Sequence, residues 1–538
     1  MKRLNRMLIC NRGEIAIRIA EAAASLGMET VSIYAAVDRT SRHTSVTTKS
    51  VQIAAGDGVA AYLDIDAVLE VAKTEACDCV HPGYGFLAEN ALFAERCLDE
   101  GIVFVGPSPS ALALFGDKIR ARDLAKKLNV PLVPGSETAL HSLKDAVYAA
   151  DKIGYPVMLK AAAGGGGRGI RKVESHDELA TAFERCGSEA ASAFGDGTLF
   201  MEKLVVGPRH IEVQVLADSQ GETIHLYERD CSVQIRNQKV IEVAPAFSIT
   251  DELRVKLHQD AINLVKGAGY VNAGTVEFLV DPETSEYYFI ECNPRIQVEH
   301  TITEEVLGID LIEAQIEIAN GRSLKELGLL ECKPTGYAIQ SRVVAEGSGT
   351  IAAYKEPAGR GVRVDSCGFQ GYAPSPQFDP LVAKLICRSN SSGTLASAVE
   401  RSLRALETFQ ITGLPTNLAS LHAILSRPEI REGAATTTML EKNPQLLSAT
   451  PLAGRSTEFL DQQSKRIIGS SPVSDQGVTR LPELSFDEAC EVVECPMDSV
   501  VLEIMVSEHD EVIKGDVICV VTAMKMETNI TSPVSGKI

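Results

Sequence analysis

Two glutamates, Glu277 and Glu291, and an asparagine, Asn293, are spaced to hold a divalent cation. Glu277 lies in a strand-like run, Gly274 to Val280, and Glu291 follows a second, Glu286 to Ile290; Asp281-Pro-Glu-Thr-Ser285 between them has the composition of a turn. A hairpin about that turn puts Glu277 nearly opposite Glu291. Two like charges facing across strands destabilise a sheet unless a cation lies between them. With Asn293 two residues on, the hard oxygen donors of a metal and phosphate site are present; the alternative is an exposed acidic hairpin. Arg295, Gln297 and Glu299 then alternate, which in an extended segment aims a cation, an amide and a carboxylate at one place. That is an anion site with a base beside it.

Residues suited to phosphate lie upstream. Asp117 caps a helix expected from Lys118 to Leu128, leaving Lys118 in the first turn, where the helix dipole disfavours a cation unless an anion is near. Pro156-Val-Met-Leu-Lys160 reads as a strand entering the glycines Gly164, Gly165, Gly166, Gly167 and Gly169, and a second strand leaves them. In a P-loop the Lys follows the glycines and opens a helix. Here Lys160 precedes them, and with Arg168 and Arg171 around it the loop reads as a mobile phosphate lid or as a flexible linker. Alternation in Ile211 to Leu216 puts His210, Glu212 and Gln214 on one face, lining a cleft or facing solvent. Cys231 to Lys239 is basic and reads as irregular, and His81 to Asn90 reads as a Gly-rich loop. In Tyr337 to Val344 the residues Ala338, Gln340 and Arg342 share a face; a lone Arg there is a surface charge unless its company makes it catalytic.

The elements that must carry these residues follow from periodicity. Met7 to Cys10, a helix Glu14 to Leu26 ended by Gly27, and Thr30 to Tyr34 form a βαβ start, but Asn11-Arg-Gly13 is no dinucleotide fingerprint. Helices are also expected over Asp251 to Lys266, Glu304 to Ala319 and Thr394 to Thr408. The 538 residues suggest three or four domains, and 45% hydrophobic with 23% charged content marks an ordinary globular chain. A net charge of −20 argues against nucleic-acid or membrane-surface binding, so an anionic substrate must be held by locally gathered Lys and Arg. No apolar run approaches the roughly 20 residues of a membrane span, and the strand-like run from Met7 leaves no room for a leader. Thirteen scattered cysteines without paired spacing point to reduced thiols, and with them to the cytoplasm.

After about Leu447 the composition becomes that of a linker, and a small module follows. Cys495-Pro-Met-Asp-Ser-Val-Val501 is echoed by Ser532-Pro-Val-Ser-Gly-Lys-Ile538, and between them two strand-like segments meet at Met524-Lys525. A Lys flanked by two Met at a hairpin tip makes sense as a residue presented to a modifying enzyme.

These residues carry a resemblance over nearly the whole chain. Residues 1 to about 447 resemble biotin carboxylase, an ATP-grasp enzyme, and those from about 490 resemble a biotinyl carrier domain, with Ala523-Met-Lys-Met526 as the biotin attachment motif. The resemblance implies an α/β and α+β chain: a Rossmann-like N-terminal domain (1–117), an ATP-grasp domain (118–335, lid about 134–206), a C-terminal domain (336–447), a linker (448–489) and a β-rich, half-complete biotinyl domain (490–538). It implies that Lys118, Lys160, the Gly164–Gly169 loop, Glu202, Lys203, Leu204, His210 and Gln234 bind ATP, and that Glu277, Glu291 and Asn293 bind Mg²⁺ or Mn²⁺. Arg295, Gln297 and the Val298 backbone match the bicarbonate site, with Lys239 beside it; Glu299 matches the base, Arg342 the stabiliser of the biotin enolate, and Glu89 another active-site carboxylate. Lys525 would carry biotin, attached by a biotin protein ligase, and a carboxyltransferase domain or subunit would complete the enzyme, a homo-oligomer.

The expected reaction is ATP-dependent carboxylation of biotin, in a carboxylase acting on an acyl-CoA, with pyruvate or urea as runners-up. A biotin-independent ATP-grasp ligase and an inactive biotin-carrying scaffold are the competing readings. Departures from the family wording are Asn237, Ala163, Ser499, the surroundings of Arg342, and a carrier second half that is nearly absent, so that the region after about Leu484 is expected to be weakly folded.

Overall fold

The computed structural model describes residues 3–53, 58–136, 138–161, 169–449, 493, 495, 500–523 and 526–538. The chain starts with a parallel sheet of five strands in the order Lys49–Gln52, Glu29–Tyr34, Arg6–Ile9, Cys79–His81, Val103–Phe104. Its central strands are buried on both faces, as the runs Met7-Leu-Ile and Cys79-Val require. The helix Gly13–Ser25 packs Ile15, Ile19, Ala22 and Ala23 inward, one stripe at helical spacing.

A second sheet carries the chemistry. It has eight strands in the order Tyr287–Asn293, Asn272–Val280, Arg209–Ala217, Thr223–Ile235, Gln238–Ala244, Ala338–Val344, Leu381–Arg388, Val362–Ser366. The strand-rich segment after Gly336 therefore adds to a sheet begun before it: Glu242 pairs with Gln340 and Ile241 with Ser341. The helix Asp251–Gly267, capped by Thr250, covers one face with Leu253, Leu257, Ala261 and Leu264. The helix Leu395–Thr408, capped by Thr394, covers the later strands with Ala398, Val399, Leu403 and Leu406. The helix expected over Glu304 to Ala319 is two, His300–Leu307 and Leu311–Ala319. Gly308 in the left-handed conformation ends the first, and Asp310 caps the second.

A three-stranded sheet, Ile170–Val173, Val157–Ala161, Leu199–Lys203, stands apart with the helices Leu143–Ile153 and His176–Phe194 and its own core around Leu159, Leu199 and Met201. This unit falls within residues 134–206, the span expected to form a lid. Residues 162–168, with Gly164 to Gly167 and Arg168, lie outside the described residues, as do most of the linker and Met524-Lys525. The final segment forms two small sheets: Val500–Ile504, Val517–Ala523 and Met526–Thr531 in one, and Glu511–Val512 with Gly536–Lys537 in the other. Val501, Ile504, Met505 and Ile513 are more than half exposed there.

Candidate active site

The acidic hairpin forms in the expected register, Glu277 opposite Glu291 and Thr275 opposite Asn293. Its charges are balanced by side chains rather than by solvent. Lys239 Nζ lies 3.0 Å and His210 Nε2 2.7 Å from Glu277, while Lys118 Nζ lies 3.9 Å from Glu291. The anion that Lys118 calls for is thus Glu291. Asp117 caps its helix by accepting from the backbone of Ile119 and Arg120. Burial would raise the Glu277 carboxyl, but Lys239 and His210 outweigh it and hold it well below the usual range.

Lys239 is the hub. It reaches Glu212 at 2.5 Å, Glu299 at 2.7 Å and Gln297 Oε1 at 3.2 Å besides Glu277. The sequence from Cys231 to Lys239 that reads as irregular is in fact the tip of a hairpin. Thr223–Ile235 pairs with Gln238–Ala244, and Arg236 and Asn237 between them both take positive φ. That turn brings Lys239 back opposite Gln234. Burial would lower the Lys239 ammonium, yet Glu212, Glu277 and Glu299 raise it well above its ordinary value, so it stays charged.

Arg295, Gln297 and Glu299 come together, but not on an extended strand, since Glu299 sits at the N-cap of the helix His300–Leu307. Arg295 pairs with Glu89 at 2.6 Å and donates to Asn293 Oδ1 at 3.2 Å; Gln297 Nε2 donates to Glu277 at 3.1 Å. Glu299 is buried between Lys239 and the Arg342 guanidinium, 3.1 Å away. Burial favours its neutral form, but Lys239, Arg342 and Arg229 hold it well below the usual carboxylate range. Arg342 also donates through Nε to Glu242 at 2.5 Å, and Gln340 donates to the other oxygen of Glu242 at 3.1 Å.

On the lid side, Lys160 and Arg122 both pair with Glu202, whose carboxyl they hold low against the raising effect of burial. The Lys203 and Leu204 backbone N–H groups donate to Pro134 and Pro156 at 2.7 and 3.1 Å. Gln234 donates to His210 Nδ1 at 2.6 Å, so His210 presents its Nε2–H to Glu277. His210, Glu212 and Gln214 are buried rather than solvated: Gln214 accepts from Arg229 at 2.7 Å, and Arg229 also pairs with Glu212.

Arg229, Glu242 and Arg122 belong to this site and carry no role in the sequence analysis, where Glu212 is placed only on a face lining a cleft or facing solvent. Glu242 had a signal, a single acid inside Val240-Ile-Glu-Val-Ala244; Arg229 between two acids had none. Within the cluster Glu212, Glu242, Glu277 and Glu299 face Lys239, Arg229 and Arg342, one carboxylate in excess. Of these carboxyls Glu242 is the one pushed up: burial and the nearby Glu299 raise it to about 6, against the opposing pull of Arg342.

Glu277, Glu291 and Asn293 fit a hard divalent cation: two carboxylates register across adjacent strands, Asn293 lies 3.0 Å from Glu277, and Glu291 is about one-third exposed. The oxygens present suit Mg²⁺ or Mn²⁺ completed by phosphate and water.

The chain matches the family descriptions "Biotin carboxylase, N-terminal domain" over residues 3–112, "Carbamoyl-phosphate synthase L chain, ATP binding domain" over 117–327, "Biotin carboxylase C-terminal domain" over 340–442 and "Biotin-requiring enzyme" over 491–538. It is 44% identical over 503 residues to a pyruvate carboxylase of Pichia angusta, covering 91% of this chain and 42% of that protein. It is 44% identical over 471 residues to the mitochondrial pyruvate carboxylase of Homo sapiens, covering 85% of this chain and 40% of that one. The chain thus spans about two fifths of the length of these curated relatives. Among solved structures, the biotin carboxylase domain dimer of Hydrogenobacter thermophilus 2-oxoglutarate carboxylase, in complex with MgADP, ADP and bicarbonate, superposes with a TM-score of 0.80 at 40% identity, over 84% of this chain and 100% of that one. Campylobacter jejuni biotin carboxylase gives 0.79 at 39%, over 82% and 99%. By this similarity and the fold that carries it, the chain belongs to the biotin carboxylase family, followed by a domain of the biotin-requiring enzymes.

Proposed function

We propose that the protein carboxylates biotin, using ATP and bicarbonate, and that Lys525 carries the biotin. The observation behind this reading is Glu299, a buried ionised carboxylate set between Lys239 and Arg342 and beside Gln297 and Arg295. Arg295, Gln297, Lys239 and the Val298 N–H would receive bicarbonate, and Glu299 would take its proton. The oxygen so freed attacks the γ-phosphate of ATP, with Lys118, Lys160 and the Gly164–Gly169 loop holding the phosphates; carboxyphosphate forms and ADP leaves. Mg²⁺ or Mn²⁺, held by Glu277, Glu291 and Asn293, would neutralise charge on the transferring phosphate. Glu202, Lys203, Leu204, His210 and Gln234 would complete the nucleotide site. Carboxyphosphate then breaks down to CO₂ and phosphate, and the phosphate takes the ureido N–H proton as that nitrogen bonds CO₂. Arg342 faces the ureido oxygen while negative charge develops on it.

For the acceptor, the named relatives favour pyruvate, one of the runners-up, over an acyl-CoA, and a carboxyltransferase domain or subunit would complete that second half-reaction. Biotin protein ligase and a second copy of the chain are further proposed partners. Among the described residues no helix is long and apolar enough to cross a membrane. The cysteines among the described residues are free and mostly buried, which supports a reducing compartment such as the cytoplasm.

The test offers purified protein ATP, Mg²⁺, bicarbonate and free biotin, and follows ADP with each component omitted in turn. ADP release that ignores bicarbonate overturns the reading. Unmodified Lys525 in biotin-replete cells would instead favour a biotin-independent ligase.

A further inference from the structure

Gln297 and Val298 turn two successive carbonyls toward the protein. His300 Nδ1 lies 2.7 Å from the Gln297 oxygen, which also accepts from the His300 backbone N–H at 3.2 Å. Lys384 Nζ lies 3.4 Å from the Val298 oxygen. A carbonyl only accepts, so His300 Nδ1 must carry the ring proton, leaving Nε2 as a lone pair. Nε2 is buried and has no hydrogen-bond partner among the described residues, with Glu304 Oε1 4.0 Å away. Burial, with Lys384, Arg18 and Arg363 around the ring, keeps the imidazole neutral.

The anchors are themselves fixed. Lys384 is fully buried, 2.8 Å from Glu14 and 3.6 Å from Asp365, and Tyr84 bonds the other oxygen of Glu14. Arg363 ties Asp365 at 2.7 Å to Glu304 at 2.8 Å, one turn along the helix from His300. A leucine of similar volume would fill the space of His300 without leaving a buried nitrogen unpaired. Packing alone therefore gives no reason for a histidine there.

A trans peptide is planar, and its C=O and N–H point in opposite directions. Holding the Gln297 oxygen against His300 consequently turns the Val298 N–H, the other end of the same peptide, away from the ring. We propose that His300, as its Nδ1–H tautomer, is a positioning residue that sets the Val298 N–H as a donor to bicarbonate, with Lys384 fixing the next peptide. This rests on the bicarbonate assignment made above for Val298.

The test uses the full 538-residue chain with free biotin, ATP and Mg²⁺, and measures ADP release against bicarbonate and against ATP. Asparagine can place an N–H where Nδ1 stands, whereas leucine cannot. His300→Leu should raise the bicarbonate KM roughly tenfold, the scale of one lost buried hydrogen bond, with the ATP KM little changed, and His300→Asn should restore most of it. Equal bicarbonate KM values in the two variants, or a matching rise in the ATP KM, overturn the proposal. If His300→Leu does not fold, His300→Asn against His300→Gln decides, because glutamine carries its N–H one bond too far; equal KM values again overturn it. Arg295→Gln separates the two claims. If it leaves the bicarbonate KM unmoved, the anion site itself is misassigned; if it raises that KM while the His300 variants do not, the positioning role alone fails.

Discussion

Lys239 Nζ and Glu299 Oε1 lie 2.7 Å apart, and this contact sets the condition under which Glu299 can act as a base. Ionised and held low by Lys239, Arg342 and Arg229 against the raising effect of burial, the carboxylate is ready but has little appetite for a proton. On the proposed mechanism, bicarbonate arriving at Lys239 would take a share of that cation's field and so raise the proton affinity of Glu299. Glu299→Gln should therefore lower bicarbonate-dependent ADP release by roughly 10²–10⁴-fold while leaving ATP binding largely intact. Turnover near the wild-type rate would remove Glu299 from the mechanism.

The proposed metal site is predicted to titrate. Glu291→Gln and Glu277→Gln should each raise the Mg²⁺ concentration for half-maximal activity, roughly tenfold or more. Glu277→Gln should also slow turnover at saturating Mg²⁺, because Glu277 holds Lys239 and His210. Unchanged Mg²⁺ curves in both variants would reduce the hairpin acids to charge partners of Lys239 and Lys118.

Arg342 is expected to separate the two chemical steps. Arg342→Gln should cut carboxylation of free biotin roughly 10²–10³-fold, the scale of a lost oxyanion donor. Phosphate release from ATP in the presence of bicarbonate should persist. Parallel loss of both would place Arg342 at the bicarbonate step instead.

Stability should fall on mild acidification. Burial depresses His43 to about 4 and His81 to about 3. Between about pH 6.5 and pH 4 the unfolded chain therefore binds protons at these positions that the fold refuses, and folding stability decreases as pH falls. Each group contributes up to about 1.4 kcal/mol per pH unit in that window. Thermal melts at pH 7 and pH 5 check this; equal melting temperatures contradict it.

Lys525→Arg should abolish the avidin-reactive signal of the chain in biotin-replete cells, while carboxylation of free biotin remains. A persisting signal would place the attachment elsewhere.

Much of this was legible because local rules and tertiary contacts agree. The turn Asp281 to Ser285 sets the register that pairs Glu277 with Glu291, and Asp117 and Thr394 cap the helices that they precede. The hairpin ending at Lys239 was not legible. Its two-residue turn is Arg236-Asn237, and both residues adopt the positive φ usually marked by Asn-Gly. The pairings of Glu242 and Arg229 were hidden for another reason: their partners, Arg342 and Glu212, are 100 and 17 residues away, and only the sheet order joins them.

That sheet also bears on how such a chain can be rebuilt. Glu277 and Gln234, proposed for the nucleotide, and Arg342, proposed for biotin, ride on one continuous run of strands, with Glu242 hydrogen-bonded across the seam. A chimera that exchanges only the segment before or after Gly336 must match a foreign strand edge along Glu242 and Gln340. The natural unit for recombination among relatives is the whole span from Arg209 to Arg388, with the smaller three-stranded unit, which has its own core, free to be exchanged alone.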